Sequence, residues 1–279
     1  MPWIPEQFTA PAAEHVKEEA RRRRQTALPY FEGLLTGDVQ ALVGSFAAEP
    51  ELHHPTRGRV KGTRAFARFM ADQRTWLLEH DAEIEHVGLV ITPRRGVEEV
   101  VLHLQGDEGR VALPVAIASD RQDDGRLNEL RMYFSSWPIT GAHAIRPPLL
   151  QPDPDLEEAD VVGEYQRALA AGDVEAIVAC FEPDGVVREP AGGTFAHRDA
   201  DARRALYTRF FSNGGGIALE HCSATDDGRT CALEYNVVQW GRTPMAPQAG
   251  IAVYVRGERG RLAGARIYDD CDPPLTARG

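Results

Sequence analysis

The segment Gly185-Val186-Val187-Arg188-Glu189-Pro190 reads as a short strand stopped by proline, which leaves the carboxylate of Glu189 at the strand's mouth. A carboxylate at an apolar rim loses water, its pKa rises, and it becomes a base usable near neutral pH; on the opposite reading it is a solvated strand end. Tyr165, upstream on a helical stretch, has a hydroxyl that can donate to an enolate or alkoxide oxygen, unless it is a core tyrosine with its hydroxyl tied off. Asp269 and Asp270 close the last predicted strand, and a regular strand turns one of two neighbours inward. His54, before Pro55, is either a base or acid of an earlier pocket or a satisfied histidine. The pair His53-His54 suits a metal poorly, because strand neighbours point to opposite faces. Tyr30, His221, Glu234, Trp240 and Phe211 are further candidates for contact with substrate, with a purely structural role the leading reading for His221 and Glu234.

These groups need elements to hold them. From Val162 to Phe181 apolar residues recur at helical spacing, broken once at Gly172-Asp173, so the stretch is a bent helix pair in which the glycine ends one helix and Asp173 caps the next. A helix is expected over 199–212, then strands near 217–224, 229–240, 248–256 and 261–270. Earlier in the chain, Thr63–Glu79 reads as a helix, and Ile84–Val90, Val97–Leu104, Val111–Ser119 and Arg126–Trp137 read as strands with turns at glycine and aspartate. Helices followed by an antiparallel meander make an α+β unit. A curved sheet wrapped on its helices would form a cone with an apolar interior.

The plan occurs twice. Subtracting 135 carries Tyr165 onto Tyr30, Gly172-Asp173-Val174 onto Gly37-Asp38-Val39, Phe181 onto Phe46 and Pro190 onto Pro55. The same shift carries Glu220-His221 onto Glu85-His86, Glu234 onto Glu99, Arg266 onto Arg131 and Tyr268 onto Tyr133. One gap-free offset over so long a segment argues for tandem domains rather than a solenoid of short units. The expected layout is an arm and charged helix over 1–27, a first domain over 28–145, a proline-rich linker over 146–156 and a second domain over 157–279.

The 279 residues suffice for two cores, and a net charge of −11 argues against nucleic acid or an anionic membrane as partner. The run Arg21–Arg24 reads as a solvated helix face. With no long apolar run and no basic-then-apolar start, a cytoplasmic protein without membrane contact is expected. Cys180, Cys222, Cys231 and Cys271 have no C-x-x-C partner and read as reduced thiols rather than metal ligands or disulfides.

The motif Tyr-x-x-Ala-Leu-x-Ala-Gly-Asp-Val-x-x-Ile-Val-x-x-Phe at Tyr165–Phe181, followed by Val-Arg-Glu-Pro-Ala-Gly at Val187–Gly192, resembles the opening of the ketosteroid isomerase and polyketide-cyclase branch of the NTF2-like (SnoaL-like) fold. The tandem layout is similar to that of two-domain epoxide hydrolases that close polyether rings. The resemblance implies two cone-shaped domains, Glu189 as general base, Tyr165 as hydroxyl donor and an acid at the end of the last strand, where Asp269 and Asp270 stand. The family's aspartate on a middle strand falls near Ile251, where there is no carboxylate, and in the first copy near Ala116. It further implies a cofactor-independent, metal-free isomerase or cyclase of secondary metabolism, acting on a hydrophobic polyketide- or terpenoid-like molecule as an intramolecular pseudo-dimer, with a homodimer also open. Epoxide opening, dehydration and a non-catalytic binding or assembly module are the alternatives.

Overall fold

In the longest strands both faces are apolar, and that pattern decides the architecture. Residues 113–119 and 248–254, related by the same shift of 135, are buried without a break. A strand buried on both sides must sit between two layers. Val115 and Ile117 pack into the first domain's core, whereas Ala116 and Ala118 pack against the other domain; Ala252 and Tyr254 divide from Ile251 and Val253 in the same way.

The computed structural model describes residues 30–37, 39–106, 109–158, 160–192 and 195–275. The expected arm, charged helix and Arg21–Arg24 run lie outside the described residues, as do Pro29 and Asp38. The first unit comprises helices α1 (Tyr30–Thr36), α2 (Val39–Gly44) and α3 (Thr63–Glu79), strands β1 (Glu51–His54), β2 (Gly58–Lys61), β3 (Glu83–Ile91), β4 (Arg95–Gly106), β5 (Gly109–Arg121) and β6 (Leu127–Tyr133), and a short α4 (Trp137–Thr140). The second unit has α5 (Asp160–Ala171), α6 (Val174–Ala179), β7 (Phe181–Arg188), β8 (Ala196–His197), α7 (Ala200–Phe210), β9 (Ile217–Asp226), β10 (Thr230–Trp240), β11 (Thr243–Arg256) and β12 (Leu262–Ile267).

Both sheets have six strands in the same order, β2-β1-β6-β5-β4-β3 and β8-β7-β12-β11-β10-β9. The meander is antiparallel, but β1 runs parallel to β6 and β7 parallel to β12, so each sheet is mixed. The bend in the opening helices forms as the sequence indicates: Gly172 takes φ 71°, and Asp173 caps α6 by accepting from the Ala176 N–H at 3.0 Å. The predicted strand through Trp137 stops at Tyr133, because Phe134-Ser135-Ser136 turns away and Pro138 opens α4. The proline-rich segment lies along the second domain, with the Ala249 N–H donating to Arg146 O and the Asp153 N–H to His221 O.

The sheets meet back to back through an apolar patch that includes Val97, Ala118, Tyr133, Ala232, Ile251 and Tyr268. Two buried polar clusters flank it. The Arg131 guanidinium donates to both Glu234 oxygens at 2.6 and 2.8 Å, and the Tyr133 hydroxyl donates to Glu234 at 2.7 Å. In the reciprocal cluster Arg266 donates to both Glu99 oxygens at 2.6 Å, as does the Tyr268 hydroxyl to one of them at 2.6 Å. Glu99 is 1% and Glu234 3% exposed, so each carboxylate has exchanged water for a bidentate arginine and a phenol.

Removing one partner of such a pair strands a buried charge, whereas removing both does not. Arg266→Met is expected to cost about 3–5 kcal/mol in urea unfolding, and adding Glu99→Leu should restore most of that loss. Additive losses in this double-mutant cycle would show the pair to be uncoupled.

Candidate functional site

Between the inner face of the second sheet and helices α5 and α7 lies an apolar chamber. Its walls are side chains that the alternation turns inward: Leu169 and Tyr165 from α5, Tyr207 and Phe210 from α7, and Tyr235, Val237, Trp240 and Tyr254 from the sheet. The free volume is small, about 70 Å³, because aromatic rings fill much of the space. Two carboxylates reach this chamber, Glu189 and Asp269.

Asp269 is the acid held in the chamber wall. The alternation of β12 continues past its end: Ile267 faces the chamber, Tyr268 the other domain, Asp269 the chamber again and Asp270 the other domain. Dense protein surrounds the Asp269 carboxyl, which keeps a partly accessible face towards the chamber, and burial pushes its pKa up to about 6. The Tyr235 hydroxyl donates to it at 2.9 Å and opposes part of that rise.

Asp270 is held by the first domain. Ser135 Oγ donates to it at 2.5 Å, Ser136 Oγ at 2.8 Å, and the N–H groups of Ser136 and Ala144 at 2.9 and 2.6 Å, with His143 Nδ1 at 2.9 Å. Burial alone would raise its pKa, but these hydrogen bonds win and hold it below the ordinary carboxylate range. Asp270 is therefore a clamp between domains and lies outside the chamber.

Glu189 stands at the chamber rim beside Pro190, and its carboxylate has partners. His197 Nε2 lies 2.7 Å from Oε1, and Arg209 donates to both oxygens at 3.3 and 3.2 Å. The sequence leads one to expect a carboxylate at an apolar rim; in the structure His197 on β8 and Arg209 on α7 hold it there. Tyr165 faces the chamber, its hydroxyl 2.7 Å from that of Tyr207. Burial pushes both phenols upward, so they remain protonated.

The other predicted residues divide. Trp240 lines the chamber, donating its indole N–H to Phe210 O at 2.8 Å. Phe211 packs against Tyr207 as the cap of α7, behind the wall. Glu234 belongs to the domain interface, on the opposite face of β10 from Leu233, Tyr235 and Val237. His221 pairs with Glu158 at 3.2 Å, away from the chamber. Ile251 and Ala116 also point into the sheet-to-sheet contact, so neither occupies a chamber position. Tyr30 is in the first core with its hydroxyl unpaired among the described residues, and His54 lines a separate chamber there. Tyr207, Tyr235, Tyr254 and Phe210 were not singled out from the sequence, although the parity of Tyr235 with Leu233 and Val237 marks it as inward-facing.

One group among the described residues, Glu51, His53 and Glu129, has ligand atoms close enough together for a metal. Arg59 and Lys61 already pair with Glu51 at 2.6 and 2.8 Å, and Arg131 pairs with Glu129, so the cluster is charge-balanced as it stands.

Comparison with known families agrees with this geometry. The sequence model described as SnoaL-like domain matches residues 162–265. The second domain is a SnoaL-like domain. The first domain repeats its strand order, so the chain is a tandem pair of units of one fold. No curated protein matches the chain. Among solved structures, a candidate polyketide cyclase from Sinorhizobium meliloti is 24% identical, over 39% of this chain and 94% of its own, with a TM-score of 0.34. An epoxide hydrolase/cyclase-like enzyme, SalBIII, of pyran ring formation in the polyether salinomycin is 17% identical over 41% and 90% (TM-score 0.33). An NTF2-like protein from Cytophaga hutchinsonii is 16% identical over 37% and 89% (TM-score 0.32). Among the described residues, no helix is long and apolar enough to cross a membrane.

The raised pKa of Asp269 ties stability to pH. Its ordinary value is 3.8 and its folded value about 6, so between these the folded chain holds more protons than the unfolded one. Its contribution therefore falls as pH rises from about 4 to about 6 and is level above, by at most about 3 kcal/mol. Urea unfolding should show wild type losing ground to Asp269→Asn across that window, and a constant difference would contradict the shift.

Proposed function

We propose that the second domain is an isomerase or cyclase for a small hydrophobic molecule, working by general acid–base catalysis with its own side chains. The observation that carries this reading is the placement of Asp269, an acid whose pKa of about 6 lets it both take and return a proton near neutral pH, in a chamber otherwise lined by aromatic and aliphatic groups.

Asp269 removes a proton beside a carbonyl and returns it elsewhere on the substrate. The charge that develops on the substrate oxygen is met by the Tyr165–Tyr207 hydroxyl pair, which stays protonated throughout. Glu189, fixed by His197 and Arg209 at the rim, is the second carboxylate. With an epoxide as substrate, the same two carboxyls divide the work: protonated Asp269 donates to the opening oxygen while Glu189 accepts a proton from the attacking hydroxyl or water. A polyketide- or terpenoid-like molecule suits the aromatic lining. The small free volume means that side chains of the wall must shift to admit more than a compact ring.

The test uses the elementary step. Wild type should speed exchange of the carbon-bound protons of cyclohexenone into D2O, followed by NMR, by about 10²- to 10⁴-fold over buffer. With the ketone, activity should rise with pH through about 6, because the base must be ionised. Asp269→Asn should abolish exchange. If wild type neither exchanges the ketone nor opens limonene oxide, or if Asp269→Asn retains either activity, the catalytic reading fails.

A further inference from the structure

The first domain has its own chamber, with about 320 Å³ of free volume against about 70 Å³ in the second. This falls at the lower end of the range of small-molecule sites, about 300–1,000 Å³. Its interior is apolar, formed by Phe31, Trp76, Leu102, Val115, Met132 and Phe134. The chemistry differs from that of the second domain at the two decisive places. Shifting Asp269 by 135 gives Phe134, and shifting Glu189 gives His54, so neither position holds a carboxylate. Asp72 and Arg57 also border the chamber, but both are exposed residues at its mouth.

His54 is 5% exposed and edge-on to Phe69 and Phe134, with ring centroids 5.3 and 5.4 Å away. Its Nδ1 accepts from the backbone N–H groups of Thr56 and Arg57, each at 3.3 Å, and the Thr56 hydroxyl is at the same distance. A backbone N–H can only donate, so Nδ1 is the acceptor and the neutral ring carries its proton on Nε2. Burial, with the charges of Arg146 and Arg57, pushes the pKa down to about 3, so the ring does not gain a second proton near neutrality. Nε2 has no hydrogen-bond partner among the described residues. The expectation that His54 serves as base or acid gives way to a fixed donor.

We infer that the first-domain chamber is a receptor site for a neutral apolar molecule bearing one hydrogen-bond-accepting oxygen, a ketone or ether, which the Nε2–H of His54 recognises. The one carboxylate bordering the chamber among the described residues, Asp72, is exposed at its mouth, and His54 does not titrate near neutrality, so the site binds such a molecule without turning it over. This inference stands independently of the catalytic reading of the second domain.

The test is calorimetric titration of the full-length protein with 2-acetylnaphthalene and with 2-ethylnaphthalene, which match in shape and differ in the carbonyl. The ketone should bind about five- to tenfold more tightly, although water favours its release less than that of the hydrocarbon. His54→Phe should erase this preference, and Asp269→Asn should leave it intact. On the unaltered protein, ¹⁵N spectra should show His54 protonated at Nε2, with that resonance moving when the ketone is added. The inference is overturned if neither compound binds, if the hydrocarbon binds as tightly as the ketone, if His54 carries its proton on Nδ1, or if Asp269→Asn abolishes ketone binding, which would place the ligand in the other chamber.

Discussion

Two buried carboxylates, Glu99 and Glu234, each gripped by an arginine and a tyrosine from the opposite domain, hold the sheets back to back. Desolvating so many charges is expensive, and in isolation such a cluster is weak support for stability. Its effect is on geometry. A carboxylate with both oxygens committed to one guanidinium and a phenol has little tolerance for sliding, so the clusters fix how the sheets register. The apolar patch between them, rich in alanine and valine, would accept several alignments on its own.

That constraint reaches the chamber through side-chain parity. Tyr268 is held outward by Glu99, and Asp270 is held outward by Ser135, Ser136, His143 and Ala144. Asp269 lies between two anchored neighbours, and the extended backbone leaves it no choice but to face the interior. The first domain thus positions the Asp269 carboxyl from outside the chamber that it faces. Loss of regular strand pairing after Ile267 would otherwise leave this stretch free to turn.

Much of this was legible in the sequence. The offset of 135 picked out Glu99 with Glu234, Arg131 with Arg266 and Tyr133 with Tyr268 as recurring residues, and the structure shows why they recur: each is one half of a reciprocal contact. What the sequence did not reveal was the face. A strand buried on one side only advertises its direction by alternating polar and apolar residues, but β10 and β11 are buried on both sides over 231–237 and 248–254. Glu234 was therefore open to a reading as a pocket residue, and Ile251 as a chamber position. His197 and Arg209 escaped notice for another reason: they meet Glu189 from a two-residue strand and from the polar side of a helix, where no periodicity points to a partner.

Duplication also explains how the copies could diverge. Each chamber opens on the inner face of its own sheet, while the residues that hold the pair together lie on the outer faces. Substitutions inside one cone leave the clamp untouched. At Asp269 and Phe134, and at Glu189 and His54, the same backbone positions carry a titrating acid against a phenyl ring, and a paired carboxylate against a donor of fixed tautomer. Tyr165 shares a hydrogen bond with Tyr207, whereas the equivalent hydroxyl of Tyr30 has no such partner, because the shift of 135 places Asp72 where Tyr207 stands. The shared outer faces preserve one architecture, and the independent inner faces carry different side chains in the two chambers.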